Sequence, residues 1–370
     1  MSAINYPLLL ASITLIFGLT GWWSRTQTVL YAAQTPATDQ TQLVGSLHFA
    51  DNEEARTGSF VLAINPIDAA PAGSHYELWL GSDQDDELLN LGAFEVNNRR
   101  VTFQGDTDQA LLETYNRALI SIEPDDSADS DDNDEDISPQ IVLSSTLPVS
   151  LTTPLRQLFF ASDLNDKGFL TGAVEQAQIV VQHAGFLHDA LAKDDFAEAR
   201  RHAEHVVNIL EGEGGFTYGD LNRDGQTQNP GDGFGLLVYL SETERQVVDG
   251  LSMLDTTIIS QTQLEQAESM ADLLANDHTL AAEAVESTVK VFASDTVTEA
   301  QAFADELRML VGEVGNDVSS VYTTTLQLAE YRFYAQPSAP AATSTPTFTP
   351  TKQPTATKPP TATATKLPTP

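Results

Sequence analysis

The sequence predicts a multidomain β + α chain: an antiparallel β-sandwich followed by an all-α helical bundle, ending in a disordered Pro/Thr-rich tail. Three observations predict it. Short β-branched and aromatic segments recur, with turn signals between them, from residue 43 to residue 143. From Gly172 onward the apolar residues recur instead at steps of three and four. After residue 337 the chain is almost entirely Pro, Thr, Ala and Ser.

The first element, residues 1–33, reads as a signal or transmembrane anchor. Pro7 to Trp23 is an apolar run of 17 residues without a charge, at the lower limit for crossing a bilayer, and Trp22-Trp23 suits an interface belt. The expectation is a protein anchored in the plasma membrane with its bulk extracytoplasmic, or secreted if the segment is cleaved near Ala32-Ala33. A lipid anchor through cysteine is excluded, because the chain has none. The same absence excludes disulfides, thiolate nucleophiles and iron–sulfur ligation. A formal charge of −35 over 370 residues excludes nucleic acid as a partner, since phosphate neutralisation needs clustered Lys and Arg. Such a chain attracts cations instead.

Residues 40–150 form the predicted sandwich. Seven strands are expected: Leu43 to Phe49, Ser59 to Ile64, His75 to Leu80, Leu88 to Val96, Arg100 to Gln104, Ala118 to Ile122 and Ile141 to Leu143. In the third, Tyr76, Leu78 and Leu80 share one face and Glu77 and Trp79 the other, so Trp79 either packs on a second layer or stands as a contact. Asp125 to Asp136 carries eight acidic residues in twelve and reads as a solvated loop.

Within this unit Pro71-Ala72-Gly73 leads into Tyr76-Glu77-Leu78-Trp79-Leu80. There follow Leu91-Gly92-Ala93-Phe94, then Ile120-Ser121-Ile122-Glu123-Pro124, then Val142-Leu143-Ser144. This order resembles the extracytoplasmic C-terminal domain of bacterial anti-sigma-K factors, over about residues 43–148. The resemblance implies a sensor-side sandwich without catalytic chemistry. In such factors a cytoplasmic helical domain before the membrane segment grips the sigma factor. Only Met1 to Tyr6 precede the apolar run here, so direct sequestration is not expected, and regulation of a sigma factor would need a partner chain.

Residues 155–335 form the predicted bundle. Gly172–Ala192 and Asp195–Glu211 each carry one apolar face, and further helices are expected near 234–254, 262–276, 278–294, 297–313 and 316–334. Ser241-x-x-Glu244, Thr262-x-x-Glu265 and Thr296-x-x-Glu299 read as capping boxes. Residues 337–370 complete the chain as an extended stalk.

Two constellations in the bundle point to chemistry. Asp220, Asn222, Asp224 and Gly225 occupy positions 1, 3, 5 and 6 of an EF-hand-like or dockerin-like loop, with the Gln226 carbonyl at position 7. Position 12 is Gly231, so Asp232 would have to substitute one residue late. The expected ligand is structural calcium, against the plainer reading of an Asx-rich turn. The second constellation is His183, His188, His202 and His205 on a helical hairpin. His202 and His205 share a helix face, whereas His183 and His188, five apart, do not. A hairpin through Asp194 would bring His188 to His202, giving His188, His202 and His205 as ligands for a transition metal, with Glu198 or Glu204 beside them.

No nucleophile elbow, phosphate loop or dinucleotide fingerprint is present. The leading expectation is therefore a non-catalytic sensing, binding or scaffolding role at the cell envelope, toward another envelope protein or a surface ligand. A metal-binding or metal-dependent enzyme built on the histidines is the alternative.

Overall fold

The structure, a computed structural model, describes residues 42–82, 88–125, 140–160, 167–251 and 260–335. The apolar run Pro7–Trp23, acidic residues 126–136 and the tail 337–370 lie outside the described residues.

The first seven strands follow the alternation of the sequence: β1 (Leu43–Ala50), β2 (Ser59–Ile64), β3 (Ser74–Gly81), β4 (Leu88–Phe94), β5 (Val101–Asp106), β6 (Arg117–Pro124) and β7 (Gln140–Thr146). An eighth, β8 (Tyr331–Tyr334), comes from the far end of the described chain. They form two antiparallel sheets, in the orders β5-β2-β1-β8 and β4-β3-β6-β7. Phe60, Leu62 and Ile64 of the first sheet and Tyr76, Leu78 and Leu80 of the second turn inward and are buried, as period-two burial requires. Trp79, on the other face, is half-buried, and its Nε1–H donates to Ser121 Oγ at 3.0 Å.

β8 differs from expectation. The sequence pattern continues a helix to residue 334, but the helix ends at Leu328 and the chain reverses into the sandwich. Tyr331 and Phe333 explain the change, since both aromatic rings are fully buried there. Tyr331 meets Phe49 edge-on at 5.6 Å, and its hydroxyl donates to the Tyr115 carbonyl at 3.0 Å. The side-chain payload of two aromatics outweighs local helix propensity.

The helices are α1 (Leu111–Thr114), α2 (Val149–Phe159), α3 (Phe169–Leu191), α4 (Phe196–Glu211), α5 (Leu236–Gln246) with a π-helical turn at Val247–Leu251, α6 (Gln261–Ala293) and α7 (Val297–Leu328). α2 was not expected; its buried Leu151, Leu155 and Leu158 lie at the right spacing but surround Pro154. α6 and α7 each replace two expected helices. In α6 the residues Ala267, Met270, Leu274, Asp277, Ala281 and Ala284 are buried at alternating steps of three and four, an unbroken heptad seam. Ala300, Ala304, Leu307, Val311, Val314 and Val318 do the same in α7. The caps are Ser260 with Gln263 for α6 and Thr296 for α7, whose Oγ1 accepts from Glu299 N. Ser241 is no cap: it lies inside α5, with its hydroxyl donating to the Leu237 carbonyl. No helix among the described residues is long and apolar enough to cross a membrane.

α4 is the helix the others enclose. Residues Ala199 and His202 to Leu210 are all buried, so it presents no solvated face over most of its length. The loop between α4 and α5 lies over one side of it. Gly212 begins that loop with φ 71°, and a Cβ there would fall 2.3 Å from the Phe234 carbonyl oxygen, so only glycine allows the loop's two ends to meet.

Candidate metal centre

α3 and α4 form an antiparallel hairpin closed by a four-residue turn, in which Asp194 takes a left-handed φ of 59°. Asp195 caps α4, its Oδ1 accepting from Glu198 N at 3.1 Å. His183 lies about two turns before this hairpin and His202 and His205 about two turns after it, so the register sets all three at one level.

At that level three Nδ1 atoms converge. His183 Nδ1 is 3.0 Å from His202 Nδ1 and 3.2 Å from His205 Nδ1. The ligand nitrogens of the three residues all lie within 4.8 Å of one another, and all three side chains are buried. A tetrahedral zinc ion with Zn–N bonds of 2.0–2.1 Å separates its nitrogens by about 3.3 Å, close to two of these distances.

What stands behind the rings decides their tautomers. His202 Nε2 lies 3.1 Å from Glu198 Oε1, a carboxylate that can only accept, so Nε2 carries the proton. His205 Nε2 lies 2.7 Å from the Gln228 amide oxygen, which likewise accepts. Both Nδ1 atoms therefore present lone pairs to His183. A neutral His183 can donate from Nδ1 to one of them, and the other lone pair is left facing nitrogen without a proton between. Burial pushes the His183 imidazole down to about 4, with the neighbouring His205, His202 and Arg201 adding to the effect, so a second proton is not the remedy at neutral pH. Burial also lowers His202, against the opposing pull of Glu198. A divalent cation satisfies all three lone pairs together. Glu198 and Gln228 then act as the outer partners that metal-bound histidines normally have.

His188 is not part of this group. Five residues beyond His183, it points about 140° round α3, and its nitrogens face Asp189 at 3.6 Å and Asp305 of α7 at 3.4 Å. The same helical angle that separates the two histidines selects His183, because α4 lies on His183's side. Glu204 is not a ligand either. Fully buried on α4, it accepts from the backbone N–H groups of Leu221, Asn222 and Gln228 at 2.8–3.1 Å.

Asp220, Asn222, Asp224 and Gln226 form a tight turn. Asp220 accepts from Asp224 N and Gly225 N, Asn222 Oδ1 from Asp224 N, and Asp224 Oδ1 from Gln226 N, at 2.8–3.1 Å. Asp232 stands apart from them. Its carboxylate accepts from the Tyr239 hydroxyl at 2.8 Å and Phe234 N at 3.1 Å, and Lys167 Nζ lies 3.4 Å away. Among the described residues no hydrogen bond or ion pair joins Asp232 to Asp220, Asn222 or Asp224.

The loop and the histidines are nevertheless one construction. Gln228 is held at its N–H by Glu204 and at its carbonyl by Asn208 Nδ2, 2.8 Å each. Asn208 also receives Gly219 N at 2.9 Å. These contacts deliver the Gln228 side chain to His205. Sequence reasoning named Glu204 only as a neighbour of the histidines and missed Asn208 and Gln228 altogether. Polar residues among the buried positions of α4 were the available signal, since a buried carboxylate or amide requires partners.

Comparison of the chain with protein-family models, with curated proteins and with solved structures finds no match.

Proposed function

We propose that this is an envelope protein whose helical bundle binds one divalent transition-metal ion, zinc or a metal of similar preference, through Nδ1 of His183, His202 and His205. The observation that carries the reading is the convergence of three buried Nδ1 atoms, two of them with tautomers fixed by Glu198 and Gln228. The envelope location rests on the apolar run Pro7–Trp23 and the Pro/Thr-rich tail. The sensing or binding role rests on the sandwich's motif order, which resembles the anti-sigma-K extracytoplasmic domain. In this reading the metal centre stiffens the hairpin and the loop, and the sandwich meets an envelope partner or surface ligand. Calorimetric titration of metal-free full-length protein with zinc is expected to give one equivalent bound, lost in His183→Ala and His202→Ala. Unchanged binding in both variants would refute the assignment.

The turn at Asp220, Asn222 and Asp224 is proposed separately as a calcium site. Gly225, at φ 91°, permits the turn that the ligand spacing needs, and the turn is already closed by its own backbone donors. Calcium is expected to raise the melting temperature of the wild type but not of Asp220→Ala/Asp224→Ala. No rise in the wild type would leave a plain Asx turn.

A further inference from the structure

Building on the metal-binding reading, we infer that the ion on His183, His202 and His205 keeps one coordination position for an exogenous ligand, a water molecule that a small monoanion can replace. Among the described residues, these three form the one group of three or more His, Asp or Glu side chains close enough to share an ion, and no fourth such residue joins them. The two nearby side-chain oxygens cannot complete the set. Glu198 Oε1 and Gln228 Oε1 accept from Nε2–H groups, which point to the other side of each ring from Nδ1. The backbone carbonyls at this level belong to the interiors of α3 and α4 and are spent within the helices. Three nitrogen ligands from protein, with the fourth place left to water, is the pattern of exchangeable zinc sites, whereas closed structural sites use four protein ligands.

The surroundings indicate what size of ligand fits. Each of the three histidines retains only 8–9% of its surface, so the group lies just beneath the protein's surface. Beside it stands Phe186, 42% exposed, edge-on to His183 at 5.5 Å and tilted against His202 at 5.2 Å. This ring makes an apolar wall at the rim and offers an incoming ligand no hydrogen bond, which favours compact anions that bind the metal end-on. The exchange is a simple substitution: the anion donates its lone pair to the metal, and the water leaves with its own. The protein's overall negative charge opposes anions only at long range, since at 0.15 M salt charges beyond about 8 Å are largely screened.

The test is to load the full-length protein with cobalt(II) and titrate azide at physiological ionic strength while following the visible d–d absorption. The expected result is a low-coordinate cobalt spectrum that shifts saturably with azide while the metal stays bound. A cobalt spectrum that depends on His202 but does not respond to azide would overturn this inference and leave the three-histidine centre standing. Failure to bind cobalt, or binding unaffected by His202→Ala, would overturn both. Phe186→Ala, which leaves the ligands in place, is expected to raise thiocyanate affinity several-fold relative to azide; an unchanged ratio would remove Phe186 from the rim.

Discussion

Gln228 acts on the centre from behind a ring. It is held at both ends of its peptide unit by Glu204 and Asn208, and its side-chain oxygen fixes the proton of His205 on Nε2. Loss of such an outer partner typically weakens metal binding 10–100-fold. Gln228→Ala is therefore expected to lower zinc affinity by about that factor, and Gln228→Glu, which keeps an accepting oxygen, to restore most of it. A purely structural role would show instead as equal losses in the two variants by calorimetry. Glu198 has the same relation to His202, and Arg201, paired to the same carboxylate oxygen, holds it in place. At this scale the sequence was partly legible. His202 and His205 could be read as a pair from their spacing of three, but the choice between His183 and His188 depended on which side of α3 receives α4. Helical phase separates the candidates, and only packing chooses between them.

Among the elements, α6 and α7 show where the pattern was present but misread. The expected helices near 262–276 and 278–294 place a break at residue 277. Instead Asp277 occupies a seam position and is fully buried; its carboxyl oxygens meet no donor among the described residues, and the Asp317 carboxyl is within hydrogen-bond reach of the protonated form. Burial pushes its pKa up to about 8, and the nearby Asp317 and Glu313 carboxylates add to the shift. Asp277 therefore stays neutral at pH 7, which is how a helix interior tolerates it. The sign of the linkage follows. The folded state holds a proton that the unfolded chain releases near pH 4, so this group's contribution is fully present below that pH and is lost as pH rises through about 8. Asp277→Leu is expected to stabilise the protein by about 1–3 kcal/mol at neutral pH, because it removes buried unsatisfied acceptors. It should also flatten the decline of stability from acid to mildly alkaline pH. Denaturant unfolding at several pH values checks both, and destabilisation by Asp277→Leu would show that the carboxyl makes a contact the bundle needs. The first seven strands, by contrast, were legible to within three residues at each end, β7 the least well, since alternation with Gly and Pro between segments leaves little choice of period. β8 was the exception: Tyr331-Arg332-Phe333-Tyr334 has the aromatic alternation of a strand, but four residues running on from a helical pattern are too few to stand apart from it, and pairing with β1 decides the matter.

Across the whole molecule, β8 returns the end of the bundle to the sandwich, with Tyr331 pairing opposite Leu47 and Tyr334 opposite Leu43. A second tie runs through Tyr322, whose hydroxyl donates to Asp51 Oδ2 at 2.7 Å while its ring meets Phe159 edge-on at 5.1 Å. The fold class was legible because each half keeps one period throughout, whereas these ties depend on contacts between residues far apart in sequence. The charge of −35 acts at this scale too, drawing cations toward every acidic surface, so retention of metal does not by itself locate a site. The most direct measurement is a crystal structure of the zinc-loaded full-length protein with anomalous scattering recorded at the zinc edge. One strong peak is expected, about 2.0–2.1 Å from Nδ1 of His183, His202 and His205. A peak on the Asp220–Asp224 turn instead, or no peak between the three imidazoles, would contradict the three-histidine centre.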